Sequence, residues 1–515
     1  MPTRVTPVNL PTDLYNVSLA LLTDFYQLTM AYGYWKAGLH GREAVFQMFF
    51  RRNPFGGGFT VACGQAYLLD YVSRLHFDEG DLAYVAALTG NDGRPLFEPG
   101  FLAFLREFRC EDPRFACDID AVPEGTVVFP HEPLVRVRGP LLTCQLLETP
   151  LLNCMNFQTL IATKAARVCL AAGNEPVLEF GLRRAQGIDG GLSASRAAYV
   201  GGCAFTSNVL AARLWGIPVA GTHAHSWIMA FDTELEAFQA FADALPNNCT
   251  LLVDTYDTLQ GVRHAAEVGQ SLRRRGHQLA AIRLDSGDLA YLSKEARRIL
   301  DDAGLHETRI LASNDLDEHI IASLRQQGAP IVVWGVGTRL VTGHGDPALG
   351  GIYKMTAIRN AAGRWQPAIK LSEQAAKITT PGMLQVRRFE EGGLYVADMI
   401  YDESRSLSSA GSGQQVGPPP DGGGSYTIVD PADFTRRKQI PADTPHVELL
   451  LPFFRRGARV VAPWTLADAR RRAAEQLGKL HESIKRFVNP HLYPAGLELS
   501  LHDVKTELYL QKKRG

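Results

Sequence analysis

The chain has 515 residues, 46% hydrophobic and 21% charged, with 53 Lys and Arg against 54 Asp and Glu. A net charge of −1 gives no electrostatic footprint for nucleic acid or an acidic membrane, no apolar run approaches the ~18 residues of a bilayer span, and Leu19 to Leu22 is too short a stretch for a signal peptide before Asp24 stops it. The eight cysteines all lie in the first half and none forms a CxxC pair, which excludes a disulfide framework or zinc site and leaves a multidomain cytoplasmic enzyme with reduced thiols as the expectation.

In chain order, residues 1 to about 150 mix short strands and helices. Ala44 to Phe50 is a near-continuous apolar, β-rich run that ends in the turn-rich Arg51-Arg52-Asn53-Pro54-Phe55-Gly56-Gly57-Gly58. Glu124 to Pro130 and Leu134 to Val137 predict two strands of a small sheet, and helical spacing starts at Leu142. The middle of the chain then repeats one pattern. Short apolar runs end in polar residues at Val177-Leu178-Glu179, Val219 to Thr222, Leu251 to Asp254, Ala281 to Asp285, Ile310 to Asn314 and Ile331 to Gly335. Thr222, Asp254, Asp285 and Asn314 follow one another at 32, 31 and 29 positions, the length of a strand, a helix and two loops. Helical patterns fill the gaps at Thr258 to Arg275 and Ser293 to Ala303. Repeated βα units require a parallel sheet, and polar residues ending successive strands mark the active-site face of an α/β barrel. An open Rossmann-like sheet is the alternative; no G-x-G-x-x-G follows the first strand, which favours the barrel. After Lys354 the pattern becomes β-rich, as in Gly393 to Asp398. Ser406 to Ser425 is Gly, Ser and Pro-rich and predicts a loop. A helix is expected from Leu466 to about Phe487, with Thr465 and Asp468 as its capping pair.

Four clusters carry chemistry. Gly221-Thr222-His223-Ala224-His225-Ser226 follows a predicted strand, and a histidine there can act as acid, base or nucleophile near neutral pH. No third ligand at recognisable spacing supports a metal site for the pair. In Arg283-Leu284-Asp285-Ser286-Gly287-Asp288 the guanidinium sits inside an apolar strand, which requires an anionic partner. That partner is Asp285 on the same face, or a ligand carboxylate held by a bidentate fork. Asp285 and Asp288 suit a hydrated Mg²⁺ or sugar hydroxyls. Gly335-Val336-Gly337-Thr338 ends a late strand, the usual phosphate position of a barrel, and Lys354 can bring an ammonium to the same anion. Arg183 and Arg184 follow the Glu179 strand end and suit a polyphosphate or carboxylate. Together these groups fit a Mg²⁺-chelated, polyanionic sugar phosphate.

Thr23 to Met30, Glu179 to Gly187, Gly221 to Ser226, Leu252 to Tyr256, Arg283 to Leu289, Ala312 to Asp315, Gly335 to Thr338 and Gly350 to Lys354 resemble, in order, the motifs of the nicotinate phosphoribosyltransferase family, and Asn489 to Pro494 resembles a further element of it. The resemblance implies an α/β fold: an irregular TIM-like barrel at 151–354 carrying the active site, an open-faced α/β sandwich domain at 1–150 to which 355–430 returns, and a C-terminal α+β extension, largely helical, at 431–515. It implies a cytoplasmic homodimer with its active site at the subunit interface, and a reaction that converts nicotinate, 5-phosphoribosyl 1-pyrophosphate, ATP and water into nicotinate mononucleotide, pyrophosphate, ADP and phosphate. Mg²⁺ (or Mn²⁺) is the implied cation and ATP the co-substrate.

Carried over by motif, His225 is the histidine that ATP phosphorylates, and Asp254 and Asp285 are catalytic or histidine-orienting. Tyr26, Thr222, Ser226, Arg283 and Arg183 bind nicotinate, while Asn314, Gly337, Thr338, Lys354 and Asp288 bind the phosphoribosyl substrate. His223 falls at a variable position without a role. The rival expectations are a nicotinamide phosphoribosyltransferase on the same barrel and a non-catalytic metabolite-binding barrel.

Overall fold

The computed structural model describes residue 15 and residues 17–371, 378–404 and 424–514. The chain forms two compact units, one of Ile161–Pro347 and one of the described residues within Pro7–Leu160 and Ala348–Gly515.

The first unit is the βα repeat. Its strands are β1 (Val177–Glu179), β2 (Phe205–Thr206), β3 (Thr250–Leu252), β4 (Ala281–Leu284), β5 (Arg309–Ala312) and β6 (Val333–Val336). They pair in parallel in the order β2-β1-β6-β5-β4-β3, an open half-barrel of six strands rather than a closed ring. Helices α1 (Gly187–Val200), α2 (Val209–Trp215), α3 (Glu234–Ala244), α4 (Thr258–Arg274), α5 (Leu289–Asp302) and α6 (Glu318–Gln326) connect them. Side-chain caps set most of the helix starts: Asn208, Thr233, Asp257, Asp288 and Asp317 each accept backbone N–H groups from the first turn, satisfying donors that a helix leaves orphaned. On α4 the buried residues Val262, Ala265, Gly269 and Leu272 recur at helical spacing and turn one face to the sheet.

The expected strand at Val219 to Thr222 is not formed. Phe205–Thr206 takes that place in the sheet, and Val219 makes a single parallel bridge to Thr206. Pro218 has no N–H to give a ladder, so only its carbonyl, which accepts from Thr206 N–H at 3.0 Å, and Ala220 N–H, which reaches Thr206 O at 3.1 Å, hold the segment.

The second unit holds a seven-stranded and a six-stranded sheet, with a two-stranded piece beside them. In the larger sheet Glu43–Phe49 lies between Ile352–Arg359 and Val135–Pro140, antiparallel to both. Lys354 sits opposite Gln47 in that sheet. It therefore belongs to this unit and not to the barrel, whose boundary falls at Pro347. The reason is local: Ile352 and Tyr353 start a strand, and Tyr353, buried, stacks on Phe46 with ring centroids 5.1 Å apart. The segment 431–515 also departs from a helical extension. Leu451–Arg455 pairs with Asp118–Ala121, and Ala495–Glu498 pairs with Leu394–Asp402, so both sheets are completed by this part of the chain. The expected helix is there but shorter, Leu466–Gly478, with the Thr465/Asp468 capping box closed in both directions. Most of the expected Gly/Pro-rich loop at 406–425 lies outside the described residues.

Candidate functional site

The polar residues that end the parallel strands converge on one face of the half-barrel. A cleft of about 150 Å³ is lined by Arg183, Arg184, Arg283, Asp285, Asn314 and Thr338, with Gly335 and Gly337 among its backbone walls. Six of the expected site positions thus share one cavity: Arg183, Arg283, Asp285, Asn314, Gly337 and Thr338.

Arg283 is its organising side chain. It is mostly buried, and its Nε donates to Ser313 Oγ at 2.7 Å, Nη1 to Thr222 Oγ1 at 3.2 Å and Nη2 to Asp285 Oδ1 at 2.8 Å. The guanidinium carbon lies 5.7 Å from the centroid of the Phe180 ring, within cation–π range. A guanidinium has five N–H donors. Three are used, so one remains on each Nη nitrogen, the pair that a carboxylate accepts in a fork. Arg283 is therefore paired with Asp285 while two of its N–H groups lie outside these three bonds.

Burial pushes the Asp285 carboxyl up, but the Arg283 guanidinium, the Ser313 hydroxyl and the nearby His225 outweigh it, and the group sits below the usual carboxylate value. Ser313 donates its hydroxyl to Asp285 Oδ1. Asp254 accepts Asp285 N–H at 2.9 Å and Ser286 Oγ at 2.6 Å on Oδ2, while its Oδ1 is buried without a hydrogen-bond partner. His225 opens a short helix, His225–Ile228. Its Nδ1 is 3.1 Å from Thr255 Oγ1 and its Nε2 is 3.9 Å from Asp285 Oδ2, with the ring 42% exposed. Nδ1 is thus engaged, and Nε2 is the nitrogen that faces the Asp285 carboxylate.

The phosphate-type corner rests on backbone. Gly337 precedes the short helix Thr338–Val341, and a Cβ on Gly337 would lie 3.2 Å from Phe180 O. At Gly335 a Cβ would stand 2.9 Å from the Phe180 ring, so only glycine lets that ring lie under Arg283. Asn314 adopts φ +109, a left-handed conformation that costs a non-glycine residue about 1–2 kcal/mol. It turns the chain sharply at the end of β5, where Leu316 N–H bonds back to Asn314 O at 2.7 Å.

His223, without a role in the sequence, has one in the structure. Nε2 accepts the N–H of Leu252 at 3.2 Å and Nδ1 faces the Ala224 carbonyl at 3.3 Å, which defines a neutral ring with its proton on Nδ1. It satisfies a backbone donor on the edge strand β3, where no neighbouring strand does so. Burial pushes its pKa down to about 4. The unfolded ring takes its proton near pH 6.5 and the folded ring only near 4, so stability falls as pH drops through that window and is flat above it. A histidine-ring NMR titration is expected to show His223 neutral down to about pH 4. A midpoint near 6.5 would show that the ring does not hold β3.

Other expected positions fall elsewhere. Asp288 caps α5, accepting Tyr291 N–H at 3.0 Å, which gives it a structural task whatever else it binds. Tyr26 and Lys354 belong to the second unit; Tyr26 is 46% exposed on the helix Phe25–Lys36, beside the exposed Phe25. Four contributors were not anticipated: Phe180, Thr255, Ser286 and Ser313. Ser313 is level with Asp285 because Leu311 pairs with Arg283 and Ala312 with Leu284. Only strand register gives that neighbourhood. Among the described residues no three His, Cys, Asp or Glu side chains form a metal cage, and no helix is long and apolar enough to cross a membrane.

Family models cover most of the chain: the nicotinate phosphoribosyltransferase N-terminal domain at 21–156, the nicotinate phosphoribosyltransferase family at 177–380 and its C-terminal domain at 385–505. A nicotinate phosphoribosyltransferase of Bacillus subtilis is 44% identical over 393 residues, covering 75% of this chain and 77% of that protein. One of Dictyostelium discoideum is 38% identical over 539 residues, covering 95% and 88%. The crystal structure of human nicotinic acid phosphoribosyltransferase superposes with a TM-score of 0.79 at 31% identity, over 94% of this chain and 99% of that one.

Proposed function

The chain belongs to the nicotinate phosphoribosyltransferase family, and from that premise we propose that its barrel cleft joins nicotinate to 5-phosphoribosyl 1-pyrophosphate, yielding nicotinate mononucleotide and pyrophosphate in the salvage of nicotinic acid to NAD. The observation that carries the reading is Arg283: mostly buried, held by three partners, with one N–H left on each Nη nitrogen. Those two donors suit a planar carboxylate, and the Phe180 ring beside them suits a flat heterocycle.

In ribosyl transfer the bond from C1 to pyrophosphate breaks well before the pyridine nitrogen completes its bond, so charge builds on the ribose and on the departing pyrophosphate. Fixed positioning and cations are then what lower the barrier. The backbone at Gly337 and the Thr338 hydroxyl would hold the 5′-phosphate, with Asn314 beside them, and Arg183 and Arg184 would face the anion. The ionised Asp285 and Asp254 flank the ribose. Both also fit a divalent cation, because Asp254 Oδ1 is buried without a partner. Mg²⁺ or Mn²⁺, chelated by the pyrophosphate, would screen the leaving group's charge. His225, with Nε2 open toward Asp285, would take the γ-phosphoryl group of ATP, releasing ADP, and later lose it to water as phosphate. We further propose a cytoplasmic homodimer that supplies exposed Tyr26 to the active site across the subunit interface.

The test is mononucleotide formation by the purified chain with Mg²⁺ and the phosphoribosyl substrate. Turnover is expected with nicotinate, and faster with ATP. Turnover of nicotinamide in its place would move the assignment to the amide enzyme, and binding without turnover would leave a metabolite-binding barrel.

A further inference from the structure

The second unit contains a cavity of about 680 Å³ between the hairpin Ser425–Pro441 and the segment 486–496. Its size is that of a small-molecule site, for which roughly 300–1,000 Å³ is usual. Four cationic side chains line it, Arg436, Arg437, Lys438 and Arg486, against a single carboxylate, Asp430. In a chain of net charge −1 that imbalance is local.

The charges are not equally engaged. Asp430 Oδ1 is occupied by the N–H groups of Ala432 and Asp433 at 2.8 and 3.1 Å. Arg436 lies 3.4 Å from Asp433, and Lys438 donates to Val396 O at 2.7 Å. Arg437 makes only a long bond to Phe434 O, 3.4 Å, and neither it nor Arg486 has a carboxylate partner among the described residues. Two unpaired guanidiniums facing one cavity suit a phosphate group. The rest of the wall sets the polar Thr435, Asn489 and His491 among apolar residues such as Ile428, Pro490 and Leu492, and inorganic phosphate would leave most of the volume empty. Phe434, one residue before the lining Thr435, is 68% exposed and offers a face for an aromatic ring.

The wall is also preformed. Tyr493, buried, stacks on Phe129 at 3.8 Å between centroids and donates to Asp398 Oδ1 at 2.8 Å. His491 N–H bonds Ser483 O and Asp398 N–H bonds Pro494 O, each at 2.9 Å. A Cβ on Gly58 would lie 2.3 Å from Ile484 O and 3.0 Å from Pro490, so the start of this segment is packed against backbone.

We propose that this cavity binds an organic phosphate of nucleotide size, at a site built wholly from the second unit and distinct from the barrel cleft. The phosphate lies between Arg437 and Arg486, and the heterocycle lies toward Phe434.

The probe is AMP, followed by calorimetry on the full chain, with adenosine and inorganic phosphate as comparisons. AMP is expected to bind more tightly than either, and the affinity to fall with added salt as screening weakens the charged contacts. The double variant Arg437→Glu/Arg486→Glu is expected to weaken AMP by about tenfold or more, the scale of one lost charge-assisted contact, with mononucleotide formation unchanged. Both side chains are exposed, so the variant folds, and Arg437→Lys/Arg486→Lys is expected to recover part of the affinity. Phe434→Ala is expected to weaken AMP and leave inorganic phosphate alone. In hydrogen exchange, AMP is expected to slow segment 483–496. An AMP isotherm unmoved by the charge reversal overturns the site, and inorganic phosphate binding as tightly as AMP overturns the organic ligand. Neither result bears on the barrel reaction.

Discussion

His225→Ala is expected to abolish the stimulation of turnover by ATP and lower kcat with ATP present by about 10²-fold, the scale on which a group acting directly in the reaction contributes. The protein itself should remain folded. The ring is 42% exposed and its only close hydrogen bond among the described residues is to Thr255, so its loss costs about 1 kcal/mol of stability or less. The neighbouring His223 is the contrasting case: buried, neutral and bonded to the edge strand. The two histidines, two residues apart, would then separate the chemical role proposed for His225 from the structural role of His223. Steady-state rates with and without ATP, set beside thermal melts, check this. Wild-type ATP stimulation in His225→Ala would remove the residue from the mechanism.

Arg283→Ala is expected to weaken nicotinate binding selectively. Truncating one partner of a buried, charged hydrogen-bonded pair costs roughly 2–5 kcal/mol, or about 30-fold to a few thousand-fold in affinity. The KM for the phosphoribosyl substrate should change far less, because its expected ligands Gly337, Thr338 and Asn314 are not among the hydrogen-bond partners of Arg283 in the described residues and rest on their own backbone turns. The variant also leaves Asp285 without its strongest counter-charge. In the wild type the folded carboxyl lies below its unfolded value, so its contribution to stability is present above the unfolded pKa near 3.9 and is lost as pH falls through the lower folded one. Without Arg283, only the Ser313 hydroxyl and His225 still oppose burial, the carboxyl rises, and acid unfolding should begin at higher pH. Arg283→Lys separates the two effects. An ammonium restores charge beside Asp285, but it cannot reach Ser313, Thr222 and Asp285 at once and still present a two-pronged fork. Acid stability should recover and nicotinate affinity should not. Calorimetry with nicotinate, alongside pH-dependent melts, reads both, and unchanged nicotinate affinity in Arg283→Ala would take Arg283 out of the pocket.

The sequence by itself determined the parallel βα repeat, because strand–helix periods near 30 residues and polar strand ends are local patterns. β1 coincides with Val177 to Glu179, and α4 departs from its expected end by one residue. It also determined that Arg283 needs an anionic partner, since a guanidinium in an apolar strand admits no other solution, and its motifs named the family that the comparisons identify. What it did not contain is pairing between distant segments. Whether Val219 or Phe205 forms the second strand depends on which one finds a ladder partner, and Pro218 decides it only once β1 is present. Lys354 reads as the end of the barrel until Tyr353 finds Phe46, some three hundred residues earlier. Ser313 reaches Arg283 and Asp285 because β4 and β5 pair in one particular register, and His223 becomes a structural ligand because β3 has an open edge. Propensity and periodicity are properties of neighbours along the chain. Register, edges and cavities are properties of segments that meet only when the chain folds, and it was there that the tertiary structure decided the site.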